Sequence, residues 1–88
     1  MISWGPAWGV LGVSRLHYTL ATGAITSKCG AGEYAREAFD PRWRHIIDEC
    51  LRIRRGGPGR ARYRSPFARR RAALDFVAMA IDDAHRLV

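Results

Sequence analysis

Two dipeptides constrain this chain most: Asp40-Pro41 and Ser65-Pro66. In each, a side chain able to cap orphan backbone N–H groups precedes a proline whose fixed φ suits the first helical position. Each pair therefore opens a helix and forbids a central strand. The residues that follow agree. Trp43, Ile46, Ile47, Cys50 and Leu51 fall at i, i+3, i+4, i+7 and i+8, and Gly56-Gly57 stops them. Leu74, Val77, Ile81, Ala84 and Val88 stripe one face of a helix running nearly to the C-terminus.

Upstream, Ala7 to Ala21 reads as a helix that is apolar over much of its circumference, which predicts burial. Trp8, Leu11, Arg15 and Tyr18 share one face, and Val10, Val13, His17 and Leu20 a neighbouring one. Gly9 and Gly12 weaken it, each by about 1 kcal/mol relative to Ala, and offer room for a second helix to approach. Thr22-Gly23 ends it, and Ser27 caps a short helix over 28–38 that carries Gly30 and Gly32. Residues 56–65 form a Gly/Pro/Arg loop without apolar periodicity. With no period-2 segment and no internal repeat, the expectation is all-α: a small bundle of about four helices over 7–21, 28–38, 41–55 and 66–87.

At 88 residues the chain is one domain, of a size that buries only about 60–65% of its unfolded surface. Its longest apolar runs fall short of the about 20 residues of a membrane span. The start lacks a basic region followed by an apolar core, so no signal peptide is expected and a cytoplasmic location is. Cys29 and Cys50 are too few for a disulfide scaffold and have no metal-site spacing.

The net charge of +7 is unevenly placed. Residues 1–41 are neutral, 42–71 carry +9 and 72–88 carry −2. Fourteen arginines against one lysine also suggest a GC-rich coding bias, which discounts the pI as a functional signal. Arg60, Arg62, Arg64 and Arg69-Arg70-Arg71, with Tyr63 and Phe67 interleaved, are the nucleic-acid-like feature. They lack an accompanying helix-turn-helix, zinc spacing or heptad zipper, and a solvated basic face is the plainer reading.

His17, His45 and His85 sit on separate helices without a metal-ligand spacing, and no Ser/His/Asp constellation is legible. Trp4, Trp8 and Trp43 read as core, and Asp82-Asp83 as a solvated end turn. Arg15, on an otherwise apolar helix, needs a partner: a carboxylate such as Glu33 or Asp48, or a ligand phosphate. Lys28 stands at a helix start, where the dipole disfavours a cation but free N–H groups suit phosphate. An ordinary solvated lysine is the alternative.

Leu11, Arg15, Tyr18, Thr22-Gly23, Ile25, Lys28, Ala31, Tyr34 and Ala35 together resemble the C-terminal helical domain of the streptomycin/spectinomycin aminoglycoside adenylyltransferases. The likeness continues more loosely through Trp43, Ile46, Ile47 and the last helix. It implies a partner nucleotidyltransferase domain, with ATP and antibiotic in the cleft between the two and Mg²⁺ assisting AMP transfer to a drug hydroxyl. It assigns Arg15 and Lys28 to the ATP phosphates. A family tyrosine that contacts ATP aligns with Arg54, and the acidic drug-binding positions align with Met1 and Gly5.

The family's catalytic half carries a Gly-Ser turn and an Asp-x-Asp metal pair. These 88 residues contain neither, so the N-terminal nucleotidyltransferase domain is absent from them. The expectation is a domain that is not catalytically complete alone and has no catalytic residue of its own. It would meet a nucleotidyltransferase domain in trans, or self-associate, and would take an aminoglycoside only within a complete active site. A non-enzymatic protein-interaction module and a small basic nucleic-acid-binding protein are the alternatives.

Overall fold

The computed structural model describes residues 4–56, 63 and 65–88, with side chains from residue 8 onward. Four α-helices follow in order: α1 (Trp4–Thr22), α2 (Lys28–Ala38), α3 (Arg44–Arg54) and α4 (Pro66–His85). A 3₁₀ turn, Pro41–Trp43, leads into α3. There is no strand among the described residues, and the chain is all-α.

The caps act as the sequence requires. Ser27 Oγ accepts the Gly30 N–H at 3.0 Å, Asp40 Oδ1 the Arg42 N–H at 2.9 Å, and Ser65 Oγ the Ala68 N–H at 3.1 Å. Asp40-Pro41 opens a tight 3₁₀ turn rather than the α-helix itself, so α3 begins at Arg44. Gly23 and Gly56 close α1 and α3 at φ +76° and +106°, a region closed to most side chains. Most of the 56–65 loop lies outside the described residues.

α1 is central and packs against each of the other three helices. Val10 and Leu11 from α1 meet Ala35 and Phe39, then Ile46, Ile47, Cys50 and Leu51 from α3, and Ala73, Phe76 and Ala80 from α4. Phe76 is the hub, edge-on to Phe39 at 5.6 Å and to Trp43 at 5.8 Å. Ser14 is buried among these groups without penalty because its hydroxyl donates to the Val10 carbonyl at 2.8 Å.

Three packing expectations need correction. Close helix approach occurs at Gly32, where a Cβ would stand 2.6 Å from Leu51 Cδ2 and 3.1 Å from Leu11 Cδ2; at Gly12 nothing lies within 4 Å. Gly9 makes only ordinary contact with Val77. Trp8 is not core: it is 62% exposed, while Trp43 is half-buried and the Trp4 side chain lies outside the described residues. On α4 the buried face is Ala73, Phe76, Ala80 and Ala84. Leu74 and Ile81, expected to face the core, are exposed, and Val88 projects past the helix end. Small alanines let α4 lie close to α1, and the large side chains are displaced to its flank.

Candidate functional site: a cation cluster at the start of α2

After Gly23 the chain runs without helix from Ala24 to Ser27, and α2 then lies along α1. Gly32 meets Leu11, and Tyr34 meets both His17 and Tyr18, so α2 advances in the same sense as α1. The connection therefore returns the start of α2 to the first half of α1. Lys28 Nζ lies 4.7 Å from the centroid of the Trp8 ring, a cation–π contact that also covers part of the indole.

Lys28 is half-buried, and three conditions act against its charge. Partial desolvation comes first, then the Arg54 guanidinium, then that of Arg15; together they hold its ammonium below the usual lysine value. No acidic residue stands in the first turn of α2, and the helix dipole adds a fourth unfavourable contribution. Two helix ends and the outer face of α1 thus bring Arg15, Lys28 and Arg54 together.

Arg15 is exposed, not buried, and makes no ion pair among the described residues. The two carboxylates offered as its internal partners are engaged elsewhere. Glu33 accepts from Arg55 Nη2 at 2.7 Å and Asp48 from Arg36 Nε at 2.6 Å. Arg54 is likewise exposed and unpaired among the described residues. Among the described residues none of the three makes an ion pair with a carboxylate, and the exposed Trp8 indole lies beside Lys28.

The arginines of the basic segment behave differently. Glu49 is fully buried and accepts from Arg52 Nε and Nη2 at 3.1 and 2.9 Å, and from Arg69 Nη1 at 3.0 Å. Arg71 reaches Asp75 at 3.5 Å. Tyr63 packs edge-on to His45 at 4.6 Å, and burial pushes its phenol up to about 12. The same burial, with Glu49 beside it, pushes the Cys50 thiol to about 12. Arg60, Arg62 and Arg64 lie outside the described residues.

One constellation was not legible in the sequence. His17, 4% exposed, places Nδ1 2.8 Å from the Tyr34 hydroxyl and Nε2 2.7 Å from Asp83 Oδ2. A carboxylate can only accept, so in the neutral imidazole Nε2 carries the proton and Nδ1 accepts the Tyr34 O–H. Asp83 is therefore not a solvated end turn. Hydrogen bonds from Arg86 and then His17 hold its carboxyl below the usual range. The three residues tie α1, α2 and α4 together, and their separation along the chain leaves no local motif to find.

Among the described residues no group of three or more His, Cys, Asp or Glu side chains converges to hold a metal ion. No described helix is long and apolar enough to cross a membrane. A family model, aminoglycoside adenylyltransferase, C-terminal domain, matches residues 1–79. No curated protein and no solved structure matches the chain.

Proposed function

The chain belongs to the aminoglycoside adenylyltransferase C-terminal domain family, and on that premise we propose that its cation cluster receives the phosphates of ATP. The observation that carries this reading is Lys28 at the start of α2, set against Trp8 of α1 and within the electrostatic reach of Arg54 and Arg15. Folding gathers these charges at an electrostatic cost that an anion relieves. A triphosphate does so best, because guanidinium groups fork onto phosphate oxygens and the ammonium adds a point charge. Lys28 and Arg15 hold the assignments the resemblance implies. Arg54, at the family's tyrosine position, trades a ring and a hydroxyl for a third cation.

In this reading the chain's residues bind and orient; they do not perform adenylyl transfer. Mg²⁺ needs clustered oxygen ligands, and the described side chains offer no such group. The metal and its carboxylates would come from a nucleotidyltransferase domain seated over the Trp8 side of α1. The metal would supply charge neutralisation and alignment at the transferred phosphate. Arg15, Lys28 and Arg54 hold the polyphosphate from the opposite wall. An aminoglycoside, being polycationic, is repelled by this patch and enters only against acidic groups from the partner domain.

The test is an ATP titration of the purified chain followed by amide shifts. Residues around Arg15, Lys28 and Arg54 should move. Arg15→Ala and Lys28→Ala should each weaken the response about tenfold or more, the scale of one hydrogen bond to a charged group. Shifts confined to the 57–71 arginine segment and indifferent to both substitutions would overturn the reading. With Mg-ATP and streptomycin or spectinomycin, the chain alone should release no pyrophosphate above background; drug-dependent release would refute its incompleteness.

A further inference from the structure

Gly12 stands in the middle of α1, a position where any residue except proline suits a helix better. Nothing among the described residues asks for it. Its φ is not positive, and a Cβ built there would meet no atom within 4 Å. Gly32, by contrast, is required by Leu51 and Leu11. What Gly12 provides therefore lies on the outer surface of α1. One turn before it is Trp8, 62% exposed, and one turn after it is Leu16, 56% exposed. The three fall at i, i+4 and i+8 on one face, with Trp8 and Leu16 about 12 Å apart along the helix axis. Between an indole and a leucine the helix surface is bare backbone, a short apolar ledge.

Cations border this ledge. Arg15, exposed, follows Gly12 by three residues and so neighbours it on the helix surface. Lys28 Nζ stands 4.7 Å from the centroid of the Trp8 ring. That contact orders the indole and still leaves most of it open. An occupant needs two parts: a flat apolar ring for the ledge and an anionic tail for the cations at its edge. A polycation offers neither.

We propose that the ledge seats the nucleobase of a bound nucleotide, stacked on Trp8 over the bare backbone of Gly12 and against Leu16. The proposal rests on the reading that Arg15, Lys28 and Arg54 take the phosphates, and it adds a base subsite to that site. Every base presents a π-face, so the ledge separates nucleotides from inorganic polyphosphates rather than one base from another. Glycine at position 12 then trades helix stability for binding, as functional positions do.

Binding of ATP and of inorganic tripolyphosphate to the full chain is compared by calorimetry in magnesium-free buffer. Tripolyphosphate carries the same run of phosphates without a nucleoside, so a preference for ATP measures the ledge. Stacking of a base on an aromatic side chain is worth about five- to 140-fold in affinity, and ATP should bind tighter by a factor in that range. Gly12→Leu fills the ledge with a good helix former. It should raise the melting midpoint and erase the preference, while tripolyphosphate binds as before. A purely structural role for Gly12 does not raise stability and lower ATP affinity together. Trp8→Ala should also erase the preference. Equal affinities in the parent chain, or a preference that survives Gly12→Leu or Trp8→Ala, overturn the base subsite and leave the phosphate reading standing. Tripolyphosphate binding that is indifferent to Arg15→Ala and Lys28→Ala overturns the phosphate reading, and the base subsite with it.

Discussion

Two groups of cations in this small domain differ in what stands between them. Around Glu49, Arg52 and Arg69 converge on one fully buried carboxylate whose oxygens accept from both, joining α3 to α4. Around Lys28, Arg54 and Arg15 converge on another cation. In the first arrangement two arginines share one carboxylate, which holds helices together. The second has no ion-paired carboxylate among the described residues. The arginine-rich composition alone does not separate the two, because what distinguishes them is the position of a single glutamate.

The largest test removes that glutamate. Breaking a buried ion pair by deleting one partner costs about 3–5 kcal/mol. A domain of 88 residues has a total stability of about 4–13 kcal/mol. Glu49→Gln should therefore bring the chain close to unfolding, seen as a collapse of the urea midpoint. Arg15→Gln and Lys28→Met should stay within about 0.5 kcal/mol of the parent, as surface changes do. Equal losses at both clusters would erase the distinction drawn between them.

A smaller effect probes how the open cluster is assembled. Gly32→Ala puts a methyl into space held by Leu51 and Leu11, both buried. Overpacking of this kind costs about 1–3 kcal/mol, against up to about 1 kcal/mol gained from alanine's helix propensity. The net should be a lower melting midpoint and a weaker ATP response, because α2 carries Lys28 away from α1. Gly12→Ala, with open space around its Cβ, should keep the helix gain and raise the midpoint. A Gly32→Ala chain as stable as the parent would show that the α1–α2 approach is soft.

Helix placement was readable because caps, prolines and positive-φ glycines are local chemistry. Ser27, Asp40, Ser65, Gly23 and Gly56 act as their types require. Which face of α4 is buried was not readable. Its alanine stripe and its Leu74/Ile81 stripe have the same period, and apolar size pointed to the wrong one. Arg15 was misread as buried for a related reason: α1 is apolar nearly all round, yet its outer face is open at Trp8, Arg15 and Leu16. The pairing of Arg15 with Lys28 came from resemblance to a family. Arg54 joins them through the third dimension, as His17, Tyr34 and Asp83 join each other.

The smallest effect is also the most direct reading of the open cluster. Lys28 has a folded-state value below 10.5, through partial burial, Arg54 and Arg15 in that order. Between the folded and unfolded values the unfolded chain binds more protons, so stability rises with pH across that window. Below the folded value the penalty is present in full; above 10.5 it is gone. An anion seated among the three cations favours the charged ammonium and moves the folded value back up. Following the Lys28 Cε and Nζ resonances against pH should show a depressed midpoint in the free chain. The midpoint should rise on adding ATP and rise also in Arg54→Gln, which removes the larger of the two repulsions. The carboxylate-satisfied cluster predicts no such response, because Arg52 and Arg69 already have their anion. A Lys28 midpoint unmoved by both ATP and Arg54→Gln would mean that burial alone sets it, and that the three cations do not act on one another.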